Sequence, residues 1–210
     1  MRPGKPAGSV LPDCGFLYLV TLNGCLIGLA GIGFFSSAIT EEKEEGTLSL
    51  MQMTGISPLG ILFGKLVSRL LQAALLIVIQ IPFTLLAITL GGITLPQILA
   101  TYSTLLALLF LVANVALLAS VLAPTIRSAS LLMVIFTAGY CFSALFAEGT
   151  YSSLGQAREF RWVPALWCFR RLGESLSSAA NPSLIAPCEV AHVLGGLLAF
   201  GLAWGSYHMM

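Results

Sequence analysis

The chain has 210 residues, of which 57% are hydrophobic and 9% charged, with a net charge of +1 and a mean hydropathy of +0.94. Soluble domains carry about 25% charged residues, so this composition lies far outside the soluble globular norm. The near-neutral balance leaves no electrostatic footprint for nucleic acid as a partner.

The charges are missing in long runs: none occurs from Cys14 to Thr40, from Leu70 to Ile126, or from Ser128 to Ala147. A spanning helix needs about 20 mainly apolar residues. In chain order the runs predict spans at Phe16–Ile39, Leu66–Leu90, Gln97–Leu122, Ser128–Phe146 and Val190–Tyr207. The second and third divide at the turn signal Gly91-Gly92-Ile93-Thr94-Leu95-Pro96. Helices are required because lipid offers no partner for unpaired backbone groups. The fold class expected is therefore an all-α polytopic membrane protein of about five spans in one domain. Arg2 and Lys5 precede an apolar run too long for a cleaved signal peptide and lacking an A-x-A site. Leu11-Pro12-Asp13-Cys14 is a poor lipoprotein site because Asp13 is bulky and charged.

Between the first two spans lies Glu41–Lys65, which opens with the charged run Glu41, Glu42, Lys43, Glu44 and Glu45. Such a knot must sit at a membrane surface. Thr40 is placed to cap a helix, with Glu41 and Glu42 in its first turn where the dipole favours negative charge. Leu48, Met51, Leu50 and Met53 supply a short apolar stripe, and Gly55 suits a helix stop. Ser57 and Pro58 then restart a helix, with a Ser cap and Pro at the first helical position. The pattern predicts a span, a short amphipathic helix, a sharp break and a second span. A solvated loop with an interfacial helix is the plain alternative.

The run Ile39-Thr40-Glu41-Glu42-Lys43-Glu44-Glu45-Gly46-Thr47-Leu48, then Thr54-Gly55-Ile56-Ser57-Pro58, then Ile61-Leu62-Phe63-Gly64-Lys65-Leu66 resembles the permease subunits of ABC transporters. Within these it is similar to the type-2 exporter family. The resemblance implies that this segment is a coupling helix seated on a separate cytoplasmic ATPase, with Glu41, Glu42, Lys43, Glu44, Glu45, Gly46, Thr47, Leu48 and Met51 as the coupling residues. It implies a second permease chain as partner, ATP and magnesium bound only by the ATPase, and a multi-pass place in the cell membrane, as in a bacterial inner membrane. Gly55 stands where the family has Pro, and Ser49 where Glu is common. Family members have six spans, so the resemblance implies that this chain begins just before the second.

With Glu41–Lys65 inside, the cytoplasmic side carries Lys43, Lys65, Arg69 and Arg127, against Arg2, Lys5, Arg158, Arg161, Arg170 and Arg171 outside. The positive-inside rule does not support that orientation, whereas the motif does. The Glu148–Glu189 loop interleaves those last arginines with Phe160, Trp162, Trp167 and Phe169, which suits short helices at headgroup level.

Other chemistry finds little footing. Gly60 to Leu66 has three residues between its glycines and Leu where a phosphate loop needs Ser or Thr. Glu189 and His192 form an i, i+3 pair at the start of the last span, at an interface where water reaches them, with no second ligand set. The five cysteines include no C-x-x-C. Cys168 and Cys188 share a loop in which they could pair. Gly24 with Gly28, and Gly201 with Gly205, suit close helix packing. Asn23, Gln72, Gln80 and Asn114 are polar groups at lipid depth, placed to line a route or bridge helices. The reading is a transport subunit with no catalytic, cofactor or metal site of its own. A membrane scaffold or truncated permease remnant is the alternative, and an intramembrane enzyme the third.

Overall fold

In a computed structural model, the structure describes residues 22–37, 39–47, 53, 55, 57–79, 81–82, 95–153 and 187–209. Leu48, Met51, Gln80, the turn at 91–94 and the Arg and aromatic residues of the 154–186 loop lie outside the described residues. So do Cys168 and parts of the first two expected spans.

Everything regular among the described residues is helical. Helix α1 covers residues 22–30 and winds on as a π-helix through Gly31–Phe35. Helix α2 is Thr40–Glu44, α3 is Pro58–Val78 and α4 is Leu95–Leu122. Helix α5 is Ile126–Ser153 and α6 is Pro187–His208. Among the described residues two helices are long and apolar enough to cross a membrane, Leu95–Leu122 and Glu189–His208. They carry the spans expected at 97–122 and 190–207. Leu22–Gly33 and Ile126–Phe142 are shorter apolar helices.

The bundle is organised around α4, whose apolar residues run right round the helix, so it has no preferred outer face. A helix apolar on every side belongs in the centre. Leu105, Ala116, Leu117 and Val121 are all at most 2% exposed. The most extensive packing is between α4 and α6, with α1, α3 and α5 filling the remaining sides of α4. Glycine makes two of these approaches close. A Cβ on Gly196 of α6 would stand 2.8 Å from the Phe110 ring, and one on Gly31 would stand 2.5 Å from Val112. Among the described residues the Gly201 and Gly205 pair packs against nothing, since a Cβ at either meets open space. Gly28 makes an ordinary contact, at 3.6 Å from Thr137.

The outer surface stays apolar. Leu71 of α3, Ile135 and Phe142 of α5, and Leu198 and Leu202 of α6 are each more than 60% exposed. Apolar surface spread over three helices is costly in water and favourable in hydrocarbon. It supports a membrane location for the bundle.

Candidate functional site

The acidic segment folds into α2, a helix too short to be stable alone. What holds it is α4. Ser120 Oγ accepts hydrogen bonds from the N–H groups of Ile39 at 2.7 Å and Thr40 at 3.0 Å. A hydroxyl from another helix therefore serves donors that α2 would leave orphaned at its start. Thr40 does not cap its own helix, contrary to expectation. Its hydroxyl is fully buried and donates to the Ser36 carbonyl at 3.2 Å.

Lys43 and Glu44 then clasp the α4–α5 corner. The Lys43 ammonium donates to the carbonyls of Ser120 at 3.4 Å and Ala123 at 3.3 Å, and also to that of Val121. These oxygens end α4, where the dipole favours a cation. Burial lowers the Lys43 pKa from its ordinary value. Glu44 Oε1 accepts from the N–H of Ile126 at 2.8 Å, the first residue of α5, where the dipole favours an anion. The corner is itself well formed. Thr125 and Ser128 exchange hydroxyl-to-amide bonds at 3.1 and 3.3 Å, in the reciprocal manner of a capping box.

Glu42 turns a third way. It is 8% exposed, and its Oε1 pairs with Lys65 Nζ of α3 at 2.6 Å. Its Oε2 is buried without a hydrogen-bond partner among the described residues. So α2 is tied to α3, α4 and α5 by three consecutive side chains. Glu41 and Glu45 are exposed and have no such tie among the described residues. They are four residues apart and share one face. Of the four acids, Glu42 is buried against Lys65, and Glu44 stays exposed while it binds the Ile126 amide.

The expected Thr40–Thr54 helix also stops early. Gly46 has φ +69, Gly46 N–H donates to Lys43 O at 3.3 Å, and Thr47 N–H to Glu42 O at 3.1 Å. That is a Schellman ending, in which glycine takes the left-handed position without a Cβ penalty. Gly55, with φ +77, marks a second break. Ser57 then caps α3, its hydroxyl accepting from Gly60 N–H at 3.2 Å, with Pro58 in the first turn.

Of the polar groups at lipid depth, Asn23, Gln72 and Asn114 fall among the described residues. Asn114 is fully buried and its Nδ2 donates to the Phe110 carbonyl at 2.7 Å, whereas Gln72 is exposed on α3. Asn23 is half-buried on α1.

A second polar cluster departs from expectation. Glu189 and His192 are 6% and 4% exposed, rather than open to water. Glu189 Oε1 meets Thr104 Oγ1 of α4 at 2.7 Å, and His192 Nε2 meets Tyr140 OH of α5 at 2.9 Å. The sequence signal was the i, i+3 pair itself. Its partners lie 52 and 85 residues away and carry no local mark. Among the described residues no group of three His, Cys, Asp or Glu is placed to hold a metal.

No protein-family model matches the chain, and no curated protein matches it either.

Proposed function

We propose that this chain is the membrane-spanning permease subunit of an ATP-driven ABC transporter of the exporter type, with about five spans in a cell membrane such as a bacterial inner membrane. It works as one of two permease chains. ATP and magnesium belong to a separate cytoplasmic ATPase. The observation that carries the reading is the bracing of α2. A rigid lever transmits displacement where a slack loop would absorb it, and Glu42, Lys43 and Glu44 leave α2 little slack.

The bracing also says which helices would move. A push on α2 acts at the end of α4 through Lys43, at the start of α5 through Glu44, and on α3 through Lys65. The load is therefore spread over the central helix as well as over the two spans that flank the segment in sequence. Glu41 and Glu45 form the outward acidic pair for a basic rim on the ATPase, with Leu48 and Met51 proposed as its apolar anchors.

The test is co-purification of an ATPase with the tagged chain from native membranes, compared with Glu41→Lys combined with Glu45→Lys. Loss of the ATPase, with the variant still inserted, supports the reading. Equal recovery overturns it, and a chain that never carries an ATPase favours the scaffold.

A further inference from the structure

Helices α1 and α5 run antiparallel, and three contacts fix their register. Ser36 Oγ lies 3.2 Å from Ser130 Oγ. A Cβ at Gly31 would stand 3.1 Å from Met133, and one at Gly28 would stand 3.6 Å from Thr137. Positions fall along α1 as they rise along α5, by about one helical turn at each step. The next turn brings Cys25, three residues before Gly28, level with Cys141, four residues after Thr137. At about 1.5 Å per residue those steps are about 4.5 Å and about 6 Å, so the two cysteines sit at nearly one height. Residues three and four apart share a helix face, so both lie on the sides that form the seam.

Both cysteines also line one cavity of about 290 Å³ between α1, α4 and α5. Its wall includes Leu29, Leu108, Phe136 and Tyr140, while Gly24 and Gly28 add no side chain on the α1 side. Cys25 and Cys141 are free and exposed, so a ligand can reach both. An apolar cavity of about 150 Å³ takes a benzene ring, so this one has room for an aromatic ring and one bridging atom. Such a wall repays no charge brought into it. Cysteine sulfur is a soft donor that selects soft partners. The ligand that fits is uncharged, carries an aromatic group and makes two bonds to sulfur at one soft centre.

We propose that Cys25 and Cys141 form a dithiol site for trivalent arylarsenicals, with the aryl group held in the cavity. The arsenic–oxygen double bond of the ligand gives way to two arsenic–sulfur bonds. The two S–H protons leave with the oxygen as water, arsenic stays trivalent and no electrons move. The product has no net charge, so the apolar wall imposes no penalty for burying an ion. The bridge joins α1 to α5 across the cavity. The inference goes beyond the transport reading, since it needs neither the ATPase nor a second chain, and it is tested on this chain alone.

The experiment adds phenylarsine oxide to the full chain in lipid nanodiscs, with empty nanodiscs subtracted. Peptide mapping should find one arsenic bridging the Cys25 and Cys141 peptides. Excess mercaptoethanol should leave the bridge in place and dimercaptopropanol should remove it, because two linked bonds hold where single ones exchange. In a chain carrying Cys14→Ser, Cys168→Ser and Cys188→Ser, a further Cys25→Ser or Cys141→Ser should weaken binding at least about a hundredfold. Arsenite, which lacks the ring, should bind less tightly than phenylarsine oxide. Arsenic found only at other cysteines, release by the monothiol, full affinity in a folded single-thiol variant, or equal affinity for arsenite would each overturn the proposal. The mapping and the two thiol treatments use the wild-type chain, so they stand even if a variant fails to fold.

Discussion

Glu44 accepts a hydrogen bond from the backbone of Ile126 at 2.8 Å, so the last residue of α2 closes over the first residue of α5. Lys43 does the opposite at the neighbouring helix end. Two adjacent residues of opposite charge thus each meet the helix terminus whose dipole suits them.

Removing the Lys43 ammonium strips a cation from the end of α4. Lys43→Met should lower stability by about 1 kcal/mol, read as a lower melting temperature of the purified chain. The pH dependence has a definite sign. The folded Lys43 pKa is depressed, so below the ordinary lysine value the unfolded chain binds the extra proton first. Stability from this group therefore rises with pH through the window just under that value. The difference between wild type and Lys43→Met should show that rise, and a flat difference would contradict it.

Glu44→Ala should cost about 1 kcal/mol, the scale of a lost N-terminal cap. Glu44→Gln keeps an acceptor oxygen and should recover most of it. Equal melting temperatures for the two variants would mean that the Ile126 contact adds nothing.

Gly46→Ala places a Cβ in a left-handed turn. The expected penalty is about 1 kcal/mol, and Gly46→Asn should lose less because Asn tolerates that conformation. Since a Cβ at Gly46 meets open space, the cost is one of backbone strain alone. Thermal unfolding of the three chains decides it.

Two glycines of α6 should respond in contrasting ways. Gly196→Ala presses on the Phe110 ring and should destabilise by about 1–3 kcal/mol, as overpacking does. Gly201→Ala meets nothing within 4 Å and should leave monomer stability unchanged. If the second variant instead weakens self-association, measured by sedimentation in detergent, that face is a contact between chains.

The orientation is open to a direct measurement. In a cysteine-free background, Glu45→Cys should react with an impermeant thiol reagent only after cells are opened. Labelling in intact cells would put α2 outside and remove the lever from its motor.

Much of the helical plan was legible because a membrane span needs only length and apolar composition. Spans at Gln97–Leu122 and Val190–Tyr207, placed from the charge gaps and the turn signal at Gly91–Pro96, fall on the helices Leu95–Leu122 and Glu189–His208. The Ser57-Pro58 restart was legible too, since a cap and a first-turn proline act within four residues. The acidic helix was readable in position but not in extent. Gly46 sits inside the motif, and a glycine there serves as a stop only when the chain around it closes the Schellman bonds.

Local chemistry therefore determined the helical class and, among the described residues, two membrane-length helices. Tertiary structure alone decided which of these charges are engaged by other helices. Glu42 and Glu44 look like Glu41 and Glu45 along the sequence, and nothing beside Lys43 marks its partners. They differ only because α3, α4 and α5 bring Lys65, the last carbonyls of α4 and the Ile126 amide within reach. The same holds for Glu189 and His192, whose burial follows from helices distant in the chain closing over them.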